Sequence, residues 1–314
     1  VIVVAGEALI DLVVTPGGQV AARPGGSPYN AARSLARLGV ETTFLGRLAS
    51  DGLGRLLRER LAAEGAAIGV PEPSSRPSTL AVATLDQAGS ADYAFYLDGT
   101  AGADLDYEAL KQALPPDTTA LHVGDLGLVM EPVGAAIERL VRSDVPAGVL
   151  VLVDPNCRPS AIADEEAYRR RIDVIARRAD IVKASTEDLA YLYPDVPPEE
   201  AAKALLGNGA SLVLVTDGPR QARAILPDSI LAEDVPSVTV VDTIGAGDAF
   251  GGGFLAWWTA HGLGQADLGR PAAARDPLVR KALRAAVAAA ALTCTRPGAD
   301  PPTLAELQAR NWWP

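Results

Sequence analysis

Between Asp242 and Phe254 the chain reads DTIGAGDAFGGGF, the stretch whose residue types and spacing speak most directly of chemistry. An apolar run, residues 238–241, precedes it, and a helical pattern through Leu255, Trp257 and Trp258 follows, so a strand–loop–helix junction is expected here. Three small residues, Gly245, Ala246 and Gly247, fall at the helix start. Small residues let the backbone come close to a ligand. The first N–H groups of a helix have no partner within the helix and lie at the positive end of its dipole. The junction therefore reads as an anion hole, suited to a phosphoryl group in transfer. Asp248 falls on the first turn of the same helix. A carboxylate there can simply complement the dipole. It can also take the proton of a hydroxyl attacking beside the anion hole, and phosphoryl transfer needs positioning, charge neutralisation and a base together.

Other glycine-rich chemistries fail on detail. A dinucleotide fingerprint needs Gly where Phe250 stands and normally lies in the first strand–helix unit. A P-loop needs Gly-Lys-Ser/Thr, and no Gly in the chain is followed by Lys. The protein-kinase triplets His-Arg-Asp and Asp-Phe-Gly are absent.

A second glycine pair, Gly25 and Gly26, precedes Ser27, Pro28, Tyr29, Asn30 and a helical run over residues 31–38. Alone, such a string marks a turn that opens a helix. Taken together, however, GGSPYNAARSLARLG (residues 25–39) and DTIGAGDAF resemble the N- and C-terminal signatures of the ribokinase-like (PfkB) carbohydrate kinases, in the expected order. The resemblance implies a kinase in which Asp248 is the catalytic base and Gly245, Ala246 and Gly247 form the anion hole. Gly25 and Gly26 would let the sugar lie against the backbone, and Asn30 would bond its hydroxyls. Asp11, in GEALIDL, matches the acidic residue at the end of the first strand, where an ionised carboxylate accepts from two sugar hydroxyls. Tyr96 matches a lid tyrosine. Arg158, closing Asp-Pro-Asn-Cys-Arg at 154–158, matches a contact to sugar or transferred phosphate.

The nucleotide side is implied by the same resemblance. Thr216 and Gly218 fall in a phosphate-contact turn, although Gln221 stands where relatives often have Gly. Lys183 and Ser185 are assigned to the nucleotide, the Ala-rich helix 282–294 to the adenine-pocket wall, and Gly298 to its closing loop. The cofactors implied are ATP and Mg²⁺, with K⁺ as a further candidate. Residues 185–188 read Ser-Thr-Glu-Asp where relatives carry Asn-x-x-Glu. Asp188 would thus reach Mg²⁺ through water, and Asp242 matches a residue associated with a monovalent cation. Residues 44–57, 79–86, 95–105 and 121–129 look most like bacterial fructokinases, making phosphorylation of fructose at O6 the leading expectation. Related ketodeoxygluconate kinases commonly carry Arg two residues after the lid Tyr, to pair with a substrate carboxylate. Here Asp98 follows Tyr96 at that distance. A ketodeoxygluconate or nucleoside kinase, or a catalytically silent binding protein on the same scaffold, are the alternatives, and retention of Asp248 speaks against the silent one. A dinucleotide-dependent oxidoreductase is the third class.

These residues need a scaffold, and the pattern supplies one. Short apolar runs at 1–5, 42–45, 120–123, 149–153, 181–182, 212–215 and 238–241 alternate with amphipathic helical stretches at 29–38, 53–64, 132–141, 165–177, 186–192, 198–206, 247–260, 277–293 and 304–310. That rhythm predicts an α/β fold, a mostly parallel central sheet flanked by helices on both faces, in one domain over 1–314. Two segments break it, about 9–24 and 68–100. The first holds an apolar run at 12–14 and a Pro-Gly-Gly turn. The second reads as a hairpin of 80–85 and 93–97 around a turn at 86–90. They predict a small β lid over the carboxyl ends of the main strands, where open α/β sheets bind ligands. Its exposed β pieces suggest a homodimer through the lid. With 28 Lys and Arg against 39 Asp and Glu, the net charge is −11, which disfavours nucleic acid or an anionic membrane as partner. Sugar and ATP are the expected small-molecule partners. Cys157, Cys294 and the two His have no metal or disulfide spacing. The start of the sequence shows no signal-peptide pattern, and cytoplasm is the expected compartment.

Overall fold

The computed structural model describes residues 1–86 and 91–314. In chain order the strands are β1 (Ile2–Ala5), β2 (Leu9–Val14), β3 (Val20–Gly25), β4 (Thr42–Leu45), β5 (Ala67–Ile68), β6 (Thr79–Leu85), β7 (Ala91–Tyr96), β8 (Ala120–Gly124), β9 (Leu150–Asp154), β10 (Ile181–Ser185), β11 (Leu212–Thr216), β12 (Gln221–Ile225) and β13 (Ile230–Asp234). The α-helices are α1 (Ser27–Arg37), α2 (Gly52–Ala63), α3 (Tyr107–Ala113), α4 (Val133–Ser143), α5 (Glu165–Ala176), α6 (Thr186–Leu192), α7 (Pro198–Asn208), α8 (Ala246–Ala260), α9 (Ala272–Thr293) and α10 (Leu304–Ala309). One sheet of nine strands runs β13-β12-β11-β10-β9-β8-β1-β4-β5. It is parallel from β11 to β5, with β12 and β13 antiparallel at one edge.

Strand residues point alternately to the two faces, and both faces are apolar. Ile2, Val4, Phe44, Leu150, Leu152, Leu212 and Leu214 pack with α1, α8 and α9. Val3, Ala5, Val151, Val153, Val213 and Val215 pack with α4, α5 and α7 on the other side. A sheet covered twice must be hydrophobic on both faces, which is why its strands read as unbroken apolar runs rather than alternating ones. The second, small sheet has the order β3-β2-β6-β7 and is built from residues within the two segments expected to form a lid. Asp11 opposes Arg23 across β2 and β3, and Ala81 opposes Phe95 across β6 and β7. The lid segment expected from 68 onward begins instead in the main sheet, since Ile68 lies in edge strand β5. Of the turn expected at 86–90, residues 87–90 lie outside the described residues.

Two further expectations are corrected. Residues 238–241 form no strand, and Val240 and Val241 are 58% and 59% exposed. Although β13 is the last strand at one edge of the main sheet, among the described residues the run pairs with no strand of either sheet. Its end is tied instead by Val241 N–H to the Cys294 carbonyl at 2.8 Å. The helix expected at 277–293 starts five residues earlier, at Ala272, with Pro277 inside it. The three alanines after Pro271 are strong helix formers that carry the helix past the point where a proline would suggest a start. Among the described residues no helix is long and apolar enough to cross a membrane.

Helix α8 lies against both α1 and α9, and its glycines set the approach. A Cβ at Gly252 would sit 2.7 Å from Ser34 Oγ, and one at Gly253 would sit 3.0 Å from the Ala285 carbonyl, Ala286 Cα and Ala289 Cβ. These glycines of the GGGF run therefore serve helix packing. Gly253→Leu is expected to force the two helices apart and lower stability by about 1–3 kcal/mol. Chemical denaturation reads this directly, and an unchanged midpoint and slope would show that α8 and α9 have slack.

Candidate active site

Two cavities open at the carboxyl ends of the parallel strands and meet at the start of α8. The first, about 500 Å³, lies beneath the lid; the second, about 570 Å³, lies toward the C-terminal half. Thr243 and Gly247 line both. Gly245, the residue capping α8, has φ 77° and ψ 0°, a left-handed conformation open to glycine at little cost. A Cβ there would also lie 2.6 Å from Ala299 Cβ. The turn therefore needs glycine twice over; Ala246 N–H donates to the Thr243 carbonyl at 3.2 Å, and Gly247, next in α8, lines both cavities.

Asp248 follows on the first turn, buried, with its carboxylate lining the first cavity. Ser27 Oγ donates to its Oδ1 at 2.6 Å, and Asn30 Nδ2 donates to its Oδ2 at 2.9 Å. Burial pushes its pKa up, and the Ser27 and Asn30 hydrogen bonds and the Lys183 and Arg158 charges work against that rise. Ser27 and Asn30 are held in turn. Gly26, at φ 101°, lets β3 turn into α1 close to Glu7 and Ala8. Buried Glu7 accepts from Ser27 N–H at 3.1 Å and from Gly127 N–H at 2.6 Å, tying the loops after β1, β3 and β8 together. Burial holds the Glu7 carboxyl well above its usual range, with the neighbouring Asp125 adding to the effect.

The rest of the first cavity is acidic around one guanidinium. Asp11 lines it from the lid; burial lifts its pKa to about 6 against the opposing pull of Arg158. Asp11 sits within β2 rather than at the end of the first strand, which stops at Ala5. The lid strand takes the carboxylate over the cavity instead of leaving it on the floor. Asp125 lines the cavity from the end of β8, at φ 52°, with Arg158 Nε 3.6 Å from its Oδ1. Among the described residues no hydrogen-bond donor reaches that oxygen, and burial first, then Asp248 and Asp154, lift the pKa to about 7 despite Arg158. Tyr96 is not part of the cavity: it is 59% exposed, and Tyr93 and Phe95 line the site instead. Side chains along β7 alternate in direction, so the expectation was displaced by one residue onto the outer face. Asp98, two residues on, does not line the cavity either, and so bears on no substrate carboxylate.

The remaining expected residues divide. Gly26, Asn30, Arg158, Gly245, Gly247 and Asp248 line the first cavity; Ala246, Gly247, Thr216 and Gly218 line the second. Gly25 lies behind Asp11, where a Cβ would meet Asp11 Oδ2 at 2.0 Å. Lys183 is buried beneath both cavities and lines neither. Its Nζ lies 2.6 Å from Asp154 Oδ2 and 3.0 Å from where a Cβ of Gly247 would be. Burial works against its charge, and Asp154, Asp188 and Asp248 together more than restore it, so its pKa is raised. The ammonium thus sits under the start of α8. Ser185 and Asp188 form a capping box at the start of α6, and Asp188 also accepts from Cys157 N–H at 2.7 Å. Both Asp188 oxygens are engaged and the residue lines neither cavity, so the geometry does not present it to a nucleotide-bound metal. Gly298 donates its N–H to Asp242 Oδ2 at 2.8 Å rather than lining the second cavity. Asp242 also accepts from Ile244 N–H at 3.1 Å and pairs with Arg23 of the lid at 3.4 Å.

The second cavity is an apolar slot, with Val235, Pro236, Val238 and Val240 on one side and Val287, Ala290, Ala291 and Cys294 on the other. Residues 238 and 240, misread as strand, are its outer wall. Ser27, Glu7, Asp125, Tyr93 and Phe95 went unassigned by sequence reasoning. Two of them carried a usable signal: Ser27 precedes Asn30 by one helical turn, and Asp125 follows a parallel strand just as Asp154 ends one.

The description of the pfkB family carbohydrate kinases matches residues 1–306 of this chain. A fructokinase of Rhizobium leguminosarum bv. trifolii is 38% identical over 255 residues, covering 80% of this chain and 77% of that protein. Among solved structures, the Xylella fastidiosa fructokinase with bound ATP is 28% identical with a TM-score of 0.85, covering 99% and 98% of the two chains. The Vibrio cholerae O395 fructokinase in its fructose, ADP and calcium bound form is 25% identical with a TM-score of 0.83, covering 98% and 97%.

A carboxylate lifted from 3.8 to about 7 costs the fold stability as pH rises through that window, because the folded state holds the proton that the unfolded state releases. Asp125→Asn is therefore expected to raise the thermal midpoint by about 2–4 °C at pH 8 and to leave it unchanged at pH 4. An equal shift at both pH values would show that the effect is not electrostatic.

Proposed function

The chain belongs to the pfkB family of carbohydrate kinases, and we propose that it transfers the γ-phosphoryl group of ATP to the 6-hydroxyl of fructose. The observation that carries this reading is the meeting of the two cavities at Thr243 and Gly247, with Asp248 on the lid side of the junction. A sugar under the lid donates hydroxyls to Asp11 and Asp125, the two cavity carboxylates that burial makes eager for a donor. Its attacking oxygen faces Asp248, whose oxygens are already oriented by Ser27 and Asn30. The adenine fits the apolar slot, and the triphosphate runs past Thr216 and Gly218 toward the start of α8. As the new O–P bond forms and the bond to the β-phosphate oxygen breaks, Asp248 takes the hydroxyl proton and ADP leaves. The N–H groups at the start of α8, with Lys183 beneath and Arg158 at the side, meet the charge on the transferring group.

A metal ion accompanies the nucleotide in this reading, and Mg²⁺ is the proposed species. The described residues hold no group of three ligating side chains. The ion would therefore rest mainly on the phosphates and water, as Mg²⁺ commonly does, and would supply further charge neutralisation. A monovalent cation fits less well, because both Asp242 oxygens already accept from backbone N–H groups and Arg23 adds a positive charge beside them.

Fructose is favoured by the relatives: fructokinases from bacteria and plants are 30–38% identical to this chain. The cavity agrees with a neutral sugar, since Asp11, Asp125 and Asp248 face a single Arg158 and a substrate carboxylate would add to that repulsion. The enzyme works as one catalytic domain with its lid, in the cytoplasm. Val20 and Tyr96, exposed on the lid, would join two copies.

The direct test is ADP release with a panel of fructose, ketodeoxygluconate and a ribonucleoside. Fructose is expected to give the highest kcat/KM, and preference for another sugar would overturn the substrate. Asp248→Asn is expected to lower kcat by about 10³-fold or more with sugar binding kept, whereas Asp11→Ala raises the sugar KM by about tenfold or more. Near-normal turnover without Asp248 removes the base. Sedimentation at assay concentration reads the lid contact, where a dimer is expected and a strict monomer refutes it.

A further inference from the structure

Arg33 lines neither cavity, yet it is only 3% exposed. A guanidinium so deep needs every donor direction answered, and its partners lead to the reaction centre by two routes. Nε and Nη2 form a bidentate pair with Glu64 at 2.6 and 3.0 Å. Nη1 donates to the Ala299 carbonyl at 2.7 Å and lies 3.5 Å from Asn30 Oδ1.

The first route runs through Asn30. With the amide oxygen turned to the guanidinium, the amide nitrogen faces Asp248 Oδ2 as a donor. A flipped amide would set an oxygen against the carboxylate. The second route runs through Ala299, whose side chain lies where a Cβ of Gly245 would need to be. Holding the Ala299 carbonyl therefore holds the wall behind the cap of α8, and with it the anion hole.

Neutralising Glu64 is not reason enough for Arg33. Arg37 and Arg60 pair with the same carboxylate at 3.3 and 2.9 Å. Glu64 keeps two cations without Arg33, whereas the Ala299 carbonyl and the Asn30 amide oxygen have no other donor in their place among the described hydrogen bonds.

We propose that Arg33 is a positioning residue that fixes the orientation of the base and the place of the anion hole relative to each other, through Asn30 on one side and Ala299 on the other. The proposal rests on the reading of Asp248 as base and of the α8 start as anion hole. It gives a buried residue outside both cavities control over turnover rather than over substrate binding.

Arg33→Lys keeps a positive charge beside Glu64 but lacks the planar fork needed to serve Glu64, Ala299 and Asn30 at once. The expected result is a kcat lower by about 10- to 100-fold, with the sugar KM within about twofold. The acid limb of the kcat profile is expected to move to higher pH. Asp248 loses the oriented donor that favours its ionised form, and the proton-accepting form is then lost earlier as pH falls. Wild-type kcat and acid limb in this variant overturn the proposal. So does a loss of turnover that only follows the folded fraction, with the acid limb unmoved. Glu64→Gln releases the anchor of the guanidinium while keeping Arg33, and the same two changes are expected at smaller amplitude. If Arg33→Lys does not fold, wild-type kcat and acid limb in Glu64→Gln decide against the proposal. Asp248→Asn, run alongside, separates the two ideas. An active Asp248→Asn removes the underlying reading, whereas an inactive one beside a fully active Arg33→Lys removes the positioning role alone.

Discussion

The structure turns on a buried carboxylate kept at the positive end of a helix. Asp248 cannot be ionised there at ordinary cost, because burial removes its water. It is tolerable because α1 brings Ser27 and Asn30 to its two oxygens and Lys183 and Arg158 lie near. Helix α1 can do so only because α8 is stripped of side chains where they meet, at Gly252 against Ser34. The glycines at the cap and in the body of α8 thus serve one end by different means. The first opens the helix start toward a phosphate, and the others let a neighbouring helix bring donors within reach.

The same constraint spreads outward. Asp11, Asp125 and Asp248 line one cavity, Glu7 and Asp154 are buried outside its lining, and burial is the first cause of the raised pKa of each. Such a cluster opposes folding and makes sense as a site built to accept hydroxyl donors and one proton. Two of its oxygens, on Asp125 and Asp154, are buried without a protein donor. Glu7, by contrast, is spent on loops: its carboxylate takes N–H groups from the segments after β3 and β8 and so fixes where the cavity walls begin.

Much of this was legible in the sequence, for local reasons. Backbone demands leave glycines at fixed spacings, so the α8 start and the Gly25–Gly26 turn could be read as motifs, and a doubly covered parallel sheet leaves apolar runs. What failed depended on tertiary context. Residues 238–241 are as apolar as a strand, but their valines serve a cavity wall instead of a ladder, with Val238 and Val240 lining the second cavity. Tyr96 and Phe95 are equally aromatic, and only the register of β7 against β6 decides which one faces the cavity. Asp188 carries the right charge in the right place along the chain, yet its oxygens are consumed by the capping box and Cys157. Asp125 gave no motif, because a lone acid after a strand is informative only once the strand is known to end under a lid.

The two cavities divide the chemistry as a transfer between unlike partners requires. The lid side offers acceptors to a molecule rich in hydroxyl donors, while the far side offers an apolar slot and, at its inner end, backbone donors to a molecule rich in phosphate oxygens. The cations are placed where those demands collide. Lys183 sits below the shared wall and Arg158 beside Asp125, so the transferring group meets positive charge while the sugar beyond it meets negative charge. A phosphoryl group that has moved onto the sugar therefore enters a cavity of carboxylates that held the neutral alcohol. In the proposed reaction the electrostatics that favour the neutral substrate would then disfavour its phosphorylated product.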